Sequence, residues 1–201
     1  MKLYGGPTSP FVRKAKLWSL ELGLDVETVP TNVTPAEVNE DYRKKNPLVQ
    51  VPALELDDGF VLSDSHIICD HLARAGGVDL FPAEGRARDE ALQTYALLNG
   101  ATEALVQCVY ETIRRPAELK WDAYLTGRFA KVESAADMIA ETGGELFNFG
   151  EKLTYNQVVL VCLIGYANHR FAEINIIGRP ALGDFIGSLN DRASVLETMP
   201  V

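Results

Sequence analysis

The sequence is short of cysteine, and the few that it has are poorly placed for metal binding or disulfide chemistry. Only three of its 201 residues are cysteine, namely Cys69, Cys108 and Cys162. Their number is odd, their spacing is wide, and each lies in an apolar stretch with helical periodicity, so no pair has metal-ligand spacing. We interpret all three as reduced core thiols, which are typical of a cytoplasmic protein.

The chain also lacks any concentration of positive charge. Its net charge is −9, and the acidic excess is spread evenly, with −4 over residues 1–80 and −5 over the remainder. Nucleic acids and anionic membranes attract proteins through basic stripes or patches. The sequence therefore argues against both as partners. An anionic ligand would need a local source of positive potential, such as the N-terminus of a helix.

Long apolar runs are missing as well. The opening residues contain no apolar run suited to a signal peptide. The longest apolar stretch, Val158 to Ala167, is far shorter than the ~20 residues that span a bilayer. The hydrophobic content of 47% is ordinary for a globular protein with a core. We therefore predict a globular protein in the cytoplasm.

What is present in the first part of the chain is an alternation of short strands and capped helices. Each helix start carries a side chain that can cap the first backbone N–H groups, and the last two strands surround the turn Asp57-Asp58-Gly59. The order β-α-β-α-β-β-α is that of a thioredoxin-like domain. The predicted strands cover residues 1–4, 24–29, 51–56 and 60–62, and the predicted helices begin at Ser9-Pro10, at the capping box Thr34-Pro35-Ala36-Glu37 and at Ser63-Asp64-Ser65.

The character of the sequence changes after Phe81-Pro82. Strand signals vanish, and residues 86–192 have the pattern of long amphipathic helices. The sharpest signal is a capping box with Thr154 at the N-cap and Gln157 three residues later. The helix that it opens, through His169, is apolar on almost every side, which predicts a central position in a helical domain.

These two patterns divide the chain. We predict an α/β thioredoxin-like N-terminal domain over residues 1–76, a linker over residues 77–86 and an all-α C-terminal domain over residues 87–201. A domain of each kind can bury one face of its helices in its own core. We find no internal repeat that would suggest a solenoid.

Four stretches of the sequence together resemble bacterial glutathione transferases of the cytosolic type. Each stretch alone is weak evidence, but their order and separations span nearly the whole chain and make the combination specific. The resemblance implies an enzyme that uses glutathione as a cosubstrate, without a resident cofactor or metal, and that acts on a small electrophile, in detoxification, as a homodimer. The four stretches are residues 8–14 (TSPFVRK), 46–54 (NPLVQVPAL), 62–68 (LSDSHII) and the closing segment 192–200.

Three positions depart from the family's usual pattern. The family usually has glycine at the position of Val49 and most often glutamate at that of Asp64. The capping box of its helical domain commonly ends in aspartate, where this chain has Gln157. Because aspartate and glutamine remain hydrogen-bond acceptors, we interpret these differences as variation within the family.

The resemblance also implies where glutathione is held. In the family, Pro52 follows a cis peptide bond, and the exposed backbone of Val51 pairs with the cysteinyl unit of glutathione as an added strand. The γ-glutamyl carboxylate is assigned to Ser65 at a helix start, and Asp64 lies near the ammonium group of the same unit. Gln50 matches a position that commonly contacts the glycyl end. Each residue also has a purely structural interpretation, as an edge-strand proline, a helix cap or a solvated side chain.

Ser9 is the predicted catalytic residue. It lies at the N-cap of the first helix, beside the unpaired N–H groups of Phe11 and Val12, where a thiol has its pKa lowered from about 8.5. An alcohol is too weak a base to remove the thiol proton, so Ser9 would donate a hydrogen bond to the glutathione sulfur. Tyr4 is the alternative, because some branches of the family use a tyrosine near the end of the first strand. Thr8 is a third candidate, and an ordinary N-cap role for Ser9 stays open.

Serine rather than cysteine at position 9 rules out a mixed disulfide between that side chain and glutathione. We therefore predict a glutathione S-transferase that activates the thiol as a thiolate for attack on a small hydrophobic electrophile. A non-catalytic binding or regulatory protein of the same fold is the alternative, as is a glutathione-dependent isomerase or dehalogenase. The residues that could line the electrophile pocket, and that fit helix packing equally well, are Tyr110, Arg114, Arg115, Trp121 and Tyr124.

Overall fold

The computed structural model of the protein describes residues 1–33 and 39–200. Contacts between residues divide the chain into two units. The first contains Met1–Leu80 together with the closing segment that begins at Arg192, and the second contains Phe81–Asp191. In the part of the chain that the structure describes, no helix is both long and apolar enough to cross a membrane.

The first unit is built on a four-stranded mixed sheet. Its elements are β1 (Lys2–Tyr4), α1 (Pro10–Glu21), β2 (Glu27–Val29), α2 (Glu40–Lys45), β3 (Ala53–Glu55), β4 (Val61–Ser63) and α3 (Ser65–Ala75). The strand order is β2-β1-β3-β4, with β1 parallel to β2 and antiparallel to β3, and with β3 antiparallel to β4. Helices α1 and α3 pack against each other. This arrangement agrees with the predicted order of strands and helices.

Local sequence signals account for most of these elements. The predicted hairpin between β3 and β4 is confirmed, because Gly59 takes a φ of +86° and the N–H of Phe60 donates to Asp58 Oδ1 at 2.9 Å. Glycine is favoured there because a side chain disfavours positive φ. Asn39 caps α2 through the N–H of Tyr42. The capping box predicted at residues 34–37 lies outside the described residues.

The second unit is entirely helical in the part of the chain that the structure describes. Its main helices are α4 (Gly85–Val109), α5 (Asp122–Thr142), α6 (Tyr155–Arg170) and α7 (Pro180–Gly187). The predicted capping box of α6 is confirmed. Gln157 N–H donates to Thr154 Oγ1 at 3.4 Å, and Thr154 N–H donates to Gln157 Oε1 at 2.7 Å. Almost all of α6 is buried, so the helix is central as predicted.

The closing segment packs in a different place from the one that the sequence suggests. The prediction assigned it to the helical domain, whereas helix α8 (Ala193–Glu197) packs against α1 in the first unit. In this position the closing segment supplies partners for Glu21 and Arg13 of α1, which are buried in the folded protein, and a buried charge requires a partner. Arg192 makes a two-pronged ion pair with Glu21, and Ser194 donates to the same carboxylate. The first unit also extends to Leu80 rather than ending at residue 76.

Val49 is held in a backbone conformation that suits glycine. Its φ is +52°, in the left-handed region that a β-branched side chain disfavours by roughly 1–2 kcal/mol. Glycine at this position costs about 0.5–1 kcal/mol more in conformational entropy on folding. This cost offsets part of the stability gained when the strain at Val49 is relieved. We expect Val49→Gly to raise the free energy of unfolding by about 0.5–1 kcal/mol, measured by urea denaturation.

Leu48→Gly is the matched control for this substitution. Leu48 is 69% exposed and, unlike Val49, does not have a positive φ. Glycine there should lower the free energy of unfolding by about 0.5–1 kcal/mol. If both variants lose the same stability, the conformation of Val49 carries no strain.

Candidate functional site

Three of the predicted site segments meet at one edge of the sheet. Tyr4 at the end of β1 pairs with Ala53 at the start of β3, and Ala53 pairs with Ser63 at the end of β4. The loop that leads to α1 begins at this edge, the pair Val51-Pro52 enters β3 there, and α3 begins there. Two helix N-termini and one exposed loop therefore share a single end of the sheet.

Ser9 occupies the N-cap of α1, as predicted. Its Oγ accepts a hydrogen bond from the N–H of Val12 at 3.3 Å, and its own N–H donates to the carbonyl oxygen of Gly6 at 3.2 Å. Within residues 1–33 and 39–200, the hydroxyl proton of Ser9 has no acceptor. Thr8 and Phe11, on either side, are half-buried like Ser9 itself. The hydroxyl at position 9 can therefore cap the helix and still donate to a ligand.

Buried cations add to the positive potential at the start of α1. Arg13 and Lys14 are 5% and 2% exposed. The Lys14 ammonium lies 5.5 Å from the centroid of the Phe11 ring. Burial, and then the nearby charge of Lys14, lower the pKa of His66 on α3. An anion at this edge thus meets both helix N-termini and the positive charge of Lys14.

The Val51-Pro52 pair presents an unpaired peptide backbone. The peptide bond is cis, in agreement with what the resemblance implies. In the part of the chain that the structure describes, neither the N–H nor the carbonyl oxygen of Val51 has a hydrogen-bond partner. The side chain of Gln50 is exposed. Its main-chain carbonyl oxygen instead accepts from Tyr42 Oη at 2.7 Å and from Asn46 Nδ2 at 2.8 Å.

Tyr42 and Asn46 are absent from the sequence-based candidates. Asn46-Pro47 is a recognisable helix break, but the break does not show what the asparagine side chain contacts. The aromatic ring of Tyr42 fits the core pattern of a short helix, and no local signal marks its hydroxyl. Both side chains are almost fully buried, at 4% and 2% exposed.

Asp64 and Ser65 begin α3 in an unusual conformation. Asp64 is the N-cap, its Oδ1 accepts from the N–H of His66 at 2.7 Å, and its φ is +72°. For a residue other than glycine such a conformation costs about 1–3 kcal/mol and is found preferentially at ligand sites. Ser65 is 6% exposed. Among the described residues neither its N–H nor its Oγ has a hydrogen-bond partner, so both are available to an anion.

Tyr4, the alternative to Ser9, has its hydroxyl engaged elsewhere. Tyr4 Oη donates to Glu55 Oε2 at 2.6 Å, and Lys45 Nζ approaches the same oxygen at 2.5 Å. This hydrogen bond is the main reason that the pKa of Tyr4 is raised, and burial raises it further. The Tyr4 ring lies 5.9 Å from that of Tyr42 on α2. In this conformation its proton is directed to a carboxylate of the sheet.

The residues that could line an electrophile pocket surround the connection from α4 to α5. Buried Glu111 holds this connection, because it accepts from a main-chain N–H at 2.7 Å and pairs with an arginine Nε at 2.8 Å. Two aromatic rings stack there with centroids 5.9 Å apart. The partners of Glu111 are Trp121 and Arg115, the stacked rings are Trp121 and Tyr124, and Tyr110 and Arg114 lie in a π-helical turn that continues α4.

In the described ranges, no group of three or more His, Cys, Asp or Glu side chains is arranged to hold a metal ion. The three cysteines are buried and none of them forms a disulfide. Burial raises the pKa of Cys108 to about 11. A thiol with that pKa is almost entirely protonated at neutral pH and is a poor nucleophile.

Comparisons with known proteins give a consistent result. Residues 3–77 match the family model described as glutathione S-transferase, N-terminal domain. An uncharacterized GST-like protein of Escherichia coli (strain K12), YibF, is 28% identical over 204 residues, which cover 100% of this chain and 98% of that protein. Similarity therefore extends over the whole chain.

Two solved structures of glutathione transferase family members from Pseudomonas fluorescens Pf-5 resemble this chain closely. One, with bound glutathione, has a TM-score of 0.92 at 29% identity and covers 100% of this chain and 98% of its own. The other, with bound S-(propanoic acid)-glutathione, has a TM-score of 0.88 at 30% identity and covers 100% of both chains. The predicted fold class, thioredoxin-like followed by all-α, is confirmed by this agreement.

Proposed function

Because this chain belongs to the glutathione S-transferase family, we propose that it is a glutathione S-transferase that activates the glutathione thiol for attack on a small hydrophobic electrophile. One observation carries the proposal. The register that aligns Tyr4, Ala53 and Ser63 brings the N-terminus of α1, the unpaired Val51 backbone and the N-terminus of α3 to one edge of the sheet. Glutathione has a group for each of these features: its thiol for the start of α1, its peptide backbone for Val51 and its γ-glutamyl carboxylate for the start of α3.

The peptide backbone of glutathione pairs with Val51. An extended peptide adds to an exposed backbone through main-chain hydrogen bonds, whatever its side chains are. The proposal is supported by the unpaired N–H and carbonyl of Val51 within residues 1–33 and 39–200. Buried Pro52 and exposed Gln50 flank this peptide. We assign the exposed side chain of Gln50 to the glycyl end of the ligand.

The γ-glutamyl end of glutathione binds at the start of α3. Its carboxylate accepts from the N–H and the Oγ of Ser65, both unpartnered among the described residues. The second carboxylate oxygen of Asp64 receives the ligand ammonium, while the first continues to cap the helix at His66. The α3 dipole favours a negative group at this position.

The thiol of glutathione binds at the start of α1. Ser9 Oγ donates a hydrogen bond to the sulfur while it accepts one from Val12 N–H. Thr8 and Phe11 border the sulfur, and the Lys14 ammonium lies near the Phe11 ring. A hydrogen bond to a charged group contributes about 1.5–3 kcal/mol. That contribution lowers the thiol pKa by roughly 1–2 units.

The reaction then needs no covalent intermediate with the protein. The thiol loses its proton to solvent, and the thiolate attacks an electrophilic carbon. A carbon–sulfur bond forms while the leaving group departs with its electron pair. Neither Ser9 nor any cysteine exchanges a bond with the substrate. Protein groups contribute the position of the sulfur and the stabilisation of its charge.

Titration with reduced glutathione tests the binding site, with Ser65→Ala and Ser63→Ala as a matched pair. Ser65→Ala removes the hydroxyl that meets the carboxylate and should raise the Kd at least about tenfold. Ser63 is exposed at the end of β4, so its replacement should change the Kd by less than about twofold. Calorimetry gives both values.

Two outcomes would contradict the proposed binding site. One is an absence of heat at millimolar glutathione with the wild-type protein. The other is an equal effect of the two serine substitutions. Binding without conjugation of a generic aryl halide would favour the non-catalytic alternative.

A further inference from the structure

Two buried side chains converge on a single main-chain oxygen next to the proposed peptide-binding segment. The carbonyl oxygen of Gln50 accepts from Tyr42 Oη at 2.7 Å and from Asn46 Nδ2 at 2.8 Å. A carbonyl oxygen has two lone pairs, so these two donors use its full capacity. Tyr42 and Asn46 lie at different points of the chain, inside α2 and just after it. Together they fix the direction in which this carbonyl points.

Asn46 is the centre of the loop that contains these bonds. Its N–H donates to the carbonyl of Tyr42 at 2.8 Å, and its own carbonyl accepts from Val49 N–H at 2.9 Å. Its side-chain Oδ1 accepts from Leu48 N–H at 3.2 Å, while its Nδ2 donates to Gln50. Every polar group of this residue is thus engaged within the loop. The hydrogen bonds of this one residue, from its side chain and its backbone, therefore hold the conformation of the loop.

The planarity of the peptide bond links this loop to the ligand. The carbonyl of Gln50 and the N–H of Val51 belong to the same peptide unit. In a trans peptide the two groups point in opposite directions from one plane. When Tyr42 and Asn46 hold the carbonyl oxygen toward the interior, the N–H of Val51 must point away from it.

We propose that Tyr42 and Asn46 are positioning residues for glutathione, which orient the Val51 N–H toward the peptide backbone of the ligand. The inference rests on the proposed function, because it assigns a role to residues behind that binding site. Neither side chain touches the ligand. Both act through the Gln50–Val51 peptide plane, and they set affinity for the glutathione backbone rather than the reactivity of its sulfur.

Two substitutions remove the donors one at a time. Tyr42→Phe removes a hydroxyl and keeps the ring in contact with Tyr4. Asn46→Asp keeps the oxygen that accepts from Leu48 but replaces the donor to Gln50 with a second oxygen. Loss of one hydrogen bond predicts a rise of about fivefold in the Kd for glutathione with Tyr42→Phe. Repulsion between two oxygens predicts a rise of more than about tenfold with Asn46→Asp.

S-methylglutathione separates positioning of the backbone from stabilisation of the thiolate. It has the same peptide backbone and no ionisable thiol, so Tyr42→Phe should weaken its binding by the same factor as that of glutathione. The kcat for conjugation of an aryl halide at saturating glutathione should stay within about twofold of wild type, because uniform binding affects KM and not kcat. Ser9→Ala should instead lower kcat and leave the Kd for S-methylglutathione unchanged.

Tyr166→Phe is the control for a merely structural effect. Tyr166 is buried, at 5% exposed, in the helical unit. Its replacement should lower stability without changing the Kd for glutathione. The proposal is overturned if Tyr42→Phe lowers the urea midpoint like the control and leaves both Kd values unchanged.

The failure of the proposed function would look different. In that case the wild-type protein itself would bind neither glutathione nor S-methylglutathione. If Asn46→Asp does not fold, Tyr42→Phe alone decides the inference, because it keeps the ring and the loop backbone.

Discussion

Ser9→Ala is expected to lower kcat/KM for conjugation of glutathione to an aryl halide by about 10- to 100-fold, because one hydrogen bond to a thiolate contributes roughly 1.5–3 kcal/mol. The same loss should raise the pKa of bound glutathione by about 1–2 units. Thiolate absorbance in the ultraviolet, followed against pH, measures that pKa directly. The expected effect is large because the described residues offer no other acceptor for the Ser9 proton, which leaves it available to the sulfur.

Capping and donation by Ser9 can be separated with two variants. Alanine at the N-cap lowers stability by about 1 kcal/mol, while glycine lowers it by only a few tenths. Both variants remove the hydroxyl. If Ser9 donates to the sulfur, Ser9→Ala and Ser9→Gly lose activity equally while they differ in stability. A kinetic loss that follows stability instead would make Ser9 an ordinary helix cap.

The two other hydroxyl candidates are tested in the same assay. Tyr4→Phe removes a proton that is directed to Glu55, and Thr8→Val removes a hydroxyl beside the N-cap. We expect each to reduce kcat/KM much less than Ser9→Ala does. A loss of about 10-fold or more with Tyr4→Phe, and none with Ser9→Ala, would transfer the role to the tyrosine.

Arg192→Leu is expected to lower the free energy of unfolding by about 3 kcal/mol or more, because it removes a cation that pairs with a buried carboxylate. The side chain of Glu21 is 3% exposed and that of Arg192 is 20% exposed. Arg192 Nε donates to Glu21 Oε1 at 2.8 Å, and the second nitrogen pairs with Oε2. Urea denaturation of the wild type and the variant measures the difference.

An exposed pair of the same kind provides the control. Arg86 and Glu90 on α4 are 83% and 63% exposed, so Arg86→Leu should cost no more than about 1 kcal/mol. The double variant Glu21→Leu with Arg192→Leu should recover most of the lost stability, since removal of both charges avoids an unpaired one. Equal losses for Arg192→Leu and Arg86→Leu would show that the buried ion pair contributes no more to stability than an exposed one.

The sequence predicts the parts of the fold that depend on near neighbours. Ser9-Pro10, the Thr154 and Gln157 capping box and the turn at Gly59 each fix an element through residues no more than a few positions apart. The structure has all three where they were expected. The order of strands and helices then follows, and with it the edge at which the candidate site lies.

Contacts between distant residues could not be predicted from these local patterns. Nothing near Glu21 indicates that its partner lies 171 positions away. Likewise, the contact between Tyr42 and the carbonyl of Gln50 depends on how a loop folds back on a helix. The valine at position 49 gives no sign of its positive φ either, and only the glycine that the family usually has at this position suggests it. The expected homodimer and the cytoplasmic location stay predictions.

The pairing of α1 with the closing segment has a consequence for how this protein is made. Ribosomes add about 5–20 residues per second, so the 171 positions between Glu21 and Arg192 take roughly 10–30 seconds to translate. Throughout that interval the carboxylate of Glu21 lacks the guanidinium that later covers it and stays hydrated. The first helix of the nascent thioredoxin-like half is therefore not fully enclosed until Arg192 has been translated.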